Sequence, residues 1–340
     1  MRMDIDFVVT WVDATDEQWE KEKSEYLLKE GICSDSQSGE ARYRDWGLLQ
    51  YWFRCIEKNA PWVRKIHFVT NGQVPDWLNL ANDKLELNVH SSFMKPESLP
   101  TFNAAPIEMQ FGNIETLSEY FVFFNDDTFL IQPISPSFFF QDDGKRADFF
   151  CERHPIRFMG TVFSRILHND INAINSLVGN KRKLIRQDIG FDKWFSPQLP
   201  LSYRISNALN YVFSKRIVGF SVEHIPFAYK KSYYDALWDE LGPVLSVAVQ
   251  NKFRSPKDLN QYLLRYYSII TNDYFLSPAT RGVFCTLNEY EEACNAIKGT
   301  SKSPLLCIND VDYVPYDEQK VGRIREAFFE MYPEKSSFEL

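Results

Sequence analysis

Over the first 145 residues the chain switches repeatedly between short apolar runs and helical spacing. Ile5-Asp6-Phe7-Val8-Val9-Thr10-Trp11-Val12 is a β-branched run closed by the turn composition Asp13-Ala14-Thr15-Asp16, and it predicts a buried strand. From Asp45 to Asn59, Leu48, Leu49, Trp52, Phe53 and Ile56 recur at helical spacing, and Pro61 stops that helix. Lys65 to Thr70 reads as a second strand closed by Asn71-Gly72, Leu85 to His90 as a third, and Tyr120 to Phe124 as a fourth. Ile107 to Leu117 is expected to be a helix. Strands alternating with helices are the mark of a parallel sheet covered on both faces.

Residues 146–220 carry mixed helical patterns and a local excess of basic residues. Lys181-Arg182-Lys183 and Arg186 come first, then Arg204, Lys215 and Arg216. A solvated helix face explains such charges; a docking surface for an anionic acceptor or an anionic membrane leaflet is the alternative. Residues 221–340 return to regular patterns. Ile217 to Ile225 is expected to be a strand ending at Glu223-His224-Ile225-Pro226. Leu259, Tyr262, Leu263, Tyr266, Tyr267 and Ile270 share a helix face, Leu305 to Ile308 is a short strand, and Asp317 to Tyr332 is an amphipathic helix. The chain thus divides into 1–145, 146–220 and 221–340, with neither an internal repeat nor a low-complexity linker.

Composition narrows the class. Of 340 residues, 44% are hydrophobic and 25% charged, as in a globular protein, and the formal charge of −8 argues against a nucleic-acid partner. The most apolar window, Tyr120 to Phe140, is broken by Asn125-Asp126-Asp127 and two prolines, so no membrane span is expected. The N-terminus enters the first strand without an apolar leader, so no secretory signal is expected. The six scattered cysteines contain no CxxC pair and read as reduced thiols, which places the protein in the cytoplasm.

In a parallel α/β sheet the ligand crevice lies beyond the carboxyl ends of the strands. Three of the predicted strands end there in Asp13 and Asp16, in Asn71, and in Asn125-Asp126-Asp127. Adjacent carboxylates after an apolar strand must be solvated, paired or bound to a cation, and Mg²⁺ takes one or two of them together with substrate phosphates. An acidic loop capping the next element explains Asp126-Asp127 equally. Asp13 and Asp16 fit an Asx turn or an N-cap before a helix over Glu17 to Leu28. Ser255, Pro256 and Asp258 fit the N-cap, N1 and N3 positions of a helix. Arg254 would then stand before a helix N-terminus, where it complements a phosphate. His224 is either a structural histidine or a general base. Glycine-rich dinucleotide and P-loop motifs and the G-x-S-x-G elbow are all missing, which removes those readings in their usual forms.

Four ordered blocks resemble the Stealth family of sugar-1-phosphate transferases. The first is Ile5 to Asp13 with Asp16. The second runs from Arg42 and Arg44 through Asn59 to Ile66, Val69 to Pro75, Leu99 to Asn103, Ile107-Glu108 and Phe124 to Asp127. The third holds His224-Ile225-Pro226 and Phe253 to Asp258, and the fourth is Cys307-Ile308-Asn309-Asp310. The sequence departs from the family pattern at Asp13-Ala14, where Asp-Gly is usual, and at Asp45-Trp46-Gly47-Leu48-Leu49-Gln50, where an Asn-Asp-Glu-Leu-Arg-like run is usual.

The resemblance implies a compact bacterial enzyme with a Rossmann-like or GT-A-like, mostly parallel sheet. Residues 1–145 would bind the nucleotide sugar, 146–220 would form a helical insertion near acceptor or membrane, and 221–340 would complete the catalytic domain. The implied reaction moves hexose-1-phosphate (GlcNAc-1-P, GalNAc-1-P or similar) from a UDP-sugar to a hydroxyl of a lipid-linked or growing cell-surface polysaccharide, with release of UMP. In that scheme Asp127, supported by Asp126, holds Mg²⁺, with Mn²⁺ as an alternative. His224 is the base, Arg254 clamps the sugar-bearing phosphate, and Asp258 orients Arg254 or the acceptor. Thr10, Trp11, Asp13, Asn71, Gly72, Gln73, Thr101, Asn103 and Asp310 contact substrate. Such an acceptor places the enzyme at the cytoplasmic face of the inner membrane, in peripheral contact with its leaflet. A glycosyltransferase releasing UDP uses the same acidic pair and is the alternative; a non-catalytic sugar-nucleotide-binding subunit is a third reading.

Overall fold

Successive residues of a strand point to opposite faces, so a strand buried on both sides favours apolar residues at every position. The first strand, β1 (Ile5–Thr10), comes close to this: Ile5, Phe7 and Val9 enter one core and Val8 the other. The same division holds in β4 (Tyr120–Phe124), where Val122 and Phe124 face one core and Phe121 and Phe123 the other. The computed structural model describes residues 3–32, 39–155, 159–278 and 281–340.

With β2 (Ile66–Thr70), β3 (Leu85–Val89) and β7 (Phe227–Lys230), these strands form a five-stranded sheet in the order β3-β2-β1-β4-β7. All pairings are parallel except β4 with β7, which is antiparallel. This is the mostly parallel α/β sheet expected from the sequence. Strand order reverses between β1 and β4, and a crevice opens at the carboxyl ends of such a pair. One core contains α2 (Leu49–Asn59) and α8 (Glu318–Met331). The other contains α4 (Val162–Leu177), α6 (Ser232–Ala248) and α7 (Tyr262–Ile270). Two smaller sheets complete the fold: β5 (Thr128–Leu130), β10 (Leu305–Ile308) and β9 (Gly282–Cys285) in the order β5-β10-β9, and β6 (Arg146–Asp148) with β8 (Tyr274–Leu276). α1 (Glu17–Glu30) is capped by Asp16, which accepts from the Gln18 and Trp19 amides, as its N-cap reading requires.

Four sequence expectations need correction. Ile107 to Leu117 is not one helix: α3 (Ala104–Glu108) ends after five residues and a single 3-10 turn follows at Phe111–Asn113. Gly112 packs so closely on Tyr234 that an added Cβ would lie 2.5 Å from the Tyr234 Cβ, so only a glycine fits that turn. Ile217 to Ile225 is not a strand. Ile217 and Phe220 are buried, but among the described residues the segment makes a single bridge, Glu152 with Phe220, and the strand begins at Phe227. The helix expected from Ser255 begins instead at Tyr262, and Asp45 to Leu48 precede α2. Cys55, Cys151, Cys285, Cys294 and Cys307 are free thiols, and Cys33 lies outside the described residues.

β1 carries one charge into the interior. The carboxylate of Asp6 is fully buried and accepts from Arg64 (Nε, 2.8 Å, and Nη2), from His67 Nε2 at 3.1 Å and from the Ser118 amide at 2.8 Å. Burial alone would raise its pKa; the His67, Arg64 and Ser118 bonds outweigh burial and hold it below the ordinary aspartate range. Because the folded value is the lower one, this stabilisation is complete above the unfolded pKa of about 3.9 and is lost as pH falls through the folded value. Asp6→Ala is expected to cost about 3 kcal/mol in urea unfolding at pH 7. The difference from wild type should shrink below about pH 4.

Candidate active site

Strand register brings three remote stretches of chain to one point. After β4 the backbone turns sharply, with the Thr128 amide and hydroxyl both donating to the Asn125 carbonyl (3.1 and 2.8 Å), and leaves Asp126 and Asp127 at the carboxyl edge. β7 runs antiparallel to β4 with Phe227 opposite Phe123, so the residues before β7 lie beside the turn after β4; His224 is among them. β10 pairs with β5, Cys307 opposite Thr128, and the Ile308 amide donates to the Asp127 carbonyl at 2.9 Å. The loop holding His224 is fixed from beneath by α7: Arg265 donates to the Ser221 carbonyl at 2.6 Å and Tyr262 to the Glu223 carbonyl at 3.0 Å. Arg265 is itself locked by the buried carboxylate of Asp148.

The convergence creates a histidine–aspartate pair. His224 Nε2 lies 3.1 and 3.2 Å from the two Asp127 oxygens, and Asn309 Nδ2 donates to Asp127 at 2.8 Å. Burial acts on both groups. It would raise Asp127, but the charge and hydrogen bond of His224 overcome it and lower the carboxyl; it would lower His224, but Asp127 overcomes it and raises the imidazole. With Nε2 directed to Asp127, the second ring nitrogen, Nδ1, makes no hydrogen bond to the described residues. The pair has the geometry of an imidazole oriented by a carboxylate, with its other ring nitrogen left open.

Asp126 is reached by water yet crowded by protein. That crowding, and then the charges of Asp127 and Asp45, push its carboxyl up to about 7. It forms no hydrogen bond with another described residue. Carboxylates that repel one another in this way suit a hard divalent cation, whose remaining positions phosphate oxygens can fill. Asp127, His224 and Cys307 also present donor atoms within 4.8 Å of one another, but nitrogen and sulfur donors suit a softer ion. The donor set that fits Mg²⁺ is Asp126 with Asp127.

A guanidinium lies near this pair, since the charge of Arg254 acts on His224. Arg254 is half-buried, and its side chain hydrogen-bonds to none of the described residues; burial and the neighbouring Arg42 lower it to about 10, against the pull of Glu108 and Asp258. Two guanidinium groups held in mutual repulsion attract an anion. Arg254 does not stand before a helix, as the sequence suggested; a loop built on Asp258 presents it. The fully buried Asp258 accepts from the Ser255 amide (2.8 Å), Asn103 Nδ2 (2.9 Å) and Asn251 Nδ2 (2.7 Å), while burial pushes its carboxyl up to about 6. Thr101 and Asn103 belong to this scaffold: the Thr101 hydroxyl receives the Asn103 amide at 3.3 Å, and the Asn103 side chain also donates to the Phe253 carbonyl at 3.1 Å.

The remaining expected substrate residues lie at the ends of β1, β2 and β10. Gln73 ties the first two loops together, accepting from the Asp13 amide (2.9 Å) and donating to the Asp13 carbonyl (2.8 Å) and Asp16 (3.1 Å). Asp13 itself is engaged by Thr15. Asn71 accepts from the Gln73 amide, and Gly72 turns at φ +120°, where a side chain would be strained. Thr10 closes β1, and Trp11 donates to Asp45 at 3.1 Å. Asp310 pairs with Arg44 at 2.7 Å and accepts from Trp46 at 3.2 Å. Sequence reasoning missed two residues. Asn309 secures Asp127, and Glu108, buried at the end of α3, accepts from the Gln261 amide at 3.1 Å and acts electrostatically on both His224 and Arg254. Both stand in the blocks that carry the family resemblance, Ile107-Glu108 in the second and Asn309 in the fourth, but are given no role there.

Known proteins are similar to this chain over nearly its whole length. The family model described as Stealth protein CR1, conserved region 1, matches residues 3–31, and Stealth protein CR2, conserved region 2, matches 42–148. The chain is 34% identical to a Streptococcus pneumoniae protein named capsular polysaccharide phosphotransferase WcwK, over 98% of each chain. It is 35% identical to receptor polysaccharide phosphotransferase WefC of Streptococcus gordonii, over 99% of each. Exopolysaccharide phosphotransferase cps2G of Lactiplantibacillus plantarum is 33% identical, over 99% of this chain and 96% of that one.

The scaffold and the cation it presents are separable by mutation. Asp258→Ala removes the acceptor of the Ser255 amide and of the Asn251 side chain and one acceptor of Asn103, and is expected to lower unfolding stability by about 2–3 kcal/mol. Arg254→Ala removes no side-chain hydrogen bond, so its melting temperature should stay near wild type while affinity for a UDP-sugar falls about tenfold or more by titration calorimetry.

Proposed function

Because this chain belongs to the Stealth family, we propose that it transfers hexose-1-phosphate from a UDP-sugar to a hydroxyl of a lipid-linked or growing polysaccharide, forming a phosphodiester and releasing UMP. Sugar-phosphate transfer to polysaccharide is the coarser part of this reading and follows from relatives named as polysaccharide phosphotransferases along their whole length. The observation that supports the finer part is the His224–Asp127 pair with the charge of Arg254 near enough to act on His224.

The acceptor oxygen attacks the phosphorus that bears the sugar, the bond from that phosphorus to the bridging oxygen breaks, and the electron pair leaves on UMP. Nδ1 of His224 takes the hydroxyl proton, and Asp127 stabilises the imidazolium that results. Arg254 holds the non-bridging oxygens of the transferred phosphoryl group, where charge must be neutralised as it moves in line. Asp258 positions Arg254 through its loop, and Glu108 balances the charge of both His224 and Arg254 without contact to the reacting atoms. Asp126, with Asp127, would hold Mg²⁺ (or Mn²⁺), which supplies neutralisation of the phosphate oxygens. Loops after β1 and β2, knitted by Gln73, line the nucleotide-sugar side.

Incubation with a panel of UDP-hexoses and a polysaccharide acceptor fraction is expected to release UMP, to stop with EDTA and to resume with Mg²⁺. UDP in place of UMP would make the protein a glycosyltransferase. His224→Ala is expected to lower kcat by about 10²–10⁴-fold in a protein that still folds, as circular dichroism would show. Near-normal turnover in that variant would remove His224 as the base.

A further inference from the structure

The helix α5 (Leu201–Phe213) is amphipathic in the reverse sense. A surface helix normally buries its apolar stripe and exposes its polar one. Here the only fully buried residue is Asn207, whose side chain accepts from the Glu152 amide at 2.6 Å and donates to the Trp194 carbonyl at 2.9 Å. Ser206 and Asn210 each donate to the Glu152 carbonyl at 2.7 Å. The helix is thus docked through its polar side. Leu201, Ile205, Leu209, Val212 and Phe213, between 52% and 81% exposed, point away from the protein at helical spacing.

Charge accompanies this apolar row. Residues 181–216 hold eight basic and two acidic side chains in a chain whose formal charge is −8, and no acid occurs between Asp192 and Glu223. Lys181 is buried against Glu152, but Arg182, Lys183, Arg186, Lys215 and Arg216 are exposed. Two of them lie against the end of the row: Arg182 donates to the Val212 carbonyl at 2.8 Å and Arg186 to the Tyr211 hydroxyl at 3.0 Å. The opposing charges near them, Asp188 and Asp192, are exposed and outnumbered. Among the described residues no helix is long and apolar enough to cross a membrane, so contact with lipid would have to be lateral.

An exposed apolar helix face bordered by cations matches the two layers of an anionic bilayer surface, acyl chains beneath and phosphates above. We propose that α5 lies in the plane of an anionic membrane. Leu201, Ile205, Leu209 and Phe213 insert below the headgroups, while Arg182, Arg186, Lys215 and Arg216 contact lipid phosphates. This surface acts without turnover and stands apart from the phosphotransfer reading, so each can fail alone.

The test is cosedimentation of the full chain with vesicles of phosphatidylcholine alone and of phosphatidylcholine with about one-third phosphatidylglycerol. Binding is expected only to the anionic vesicles and should weaken at high salt. Leu209→Ser with Phe213→Ser should reduce it about tenfold or more, because two inserted side chains are lost. Lys215→Glu with Arg216→Glu should do the same through charge. All four positions are exposed, so circular dichroism and UMP release with a water-soluble acceptor should match wild type. Failure to bind the anionic vesicles, equal binding to both kinds, or undiminished binding of the serine variant would overturn the proposal. A concentration-dependent dimer by light scattering that the serine variant abolishes, without vesicle binding, would overturn it too and assign the face to a second copy of the chain.

Discussion

The carboxylate of Asp127 is the point on which the site depends. It ends the tight turn after β4, receives His224 from the loop before β7, and is held by Asn309 from the end of β10. None of these residues is near another in sequence; two antiparallel pairings, β4 with β7 and β5 with β10, set their distances. Because register fixes side chains on rigid elements, the pair is oriented before any ligand arrives, and the entropy of arranging it is lost during folding rather than during binding. The underlying loop is held just as firmly, since Arg265 and Tyr262 bind its backbone from α7.

Charge is sorted around this point. Asp126 and Asp45 make one side negative, and Arg254 and Arg42 make the other positive, with Glu108 buried between His224 and Arg254 in electrostatic terms. Burial first and like-charged neighbours second displace each group in pKa, Asp126 upward and Arg254 downward. A phosphate chain with a cation satisfies both sides at once, which neither side achieves alone.

The strands of the central sheet were legible because burial on both faces leaves continuous apolar runs, as in Phe7-Val8-Val9 and Phe121 to Phe124. The same signal misled at Ile217 to Ile225, where buried apolar residues lie in chain whose pairing among the described residues stops at one bridge; apolarity reports burial, not pairing. Ile107 to Leu117 misled because Gly112 meets Tyr234, from a helix far along the sequence. Among site residues, Asp126-Asp127 stood out by composition. Ser255-Pro256-Lys257-Asp258 spelled a helix start, yet Asp258 directs its bonds to Asn103 and Asn251 and builds a loop. The role of Asn309 exists only through the pairing of β10 with β5.

That pairing also orders events in time. Asp127 is made early and His224 later, but Asn309 and the α8 residues Val321, Ile324 and Phe328, which pack in the same core as β10, leave the ribosome after both. Domains fold as units during and after synthesis. A nascent or truncated chain that stops before β10 carries the His224–Asp127 pair without its third support, so the pair is held from all sides only once translation has passed residue 309.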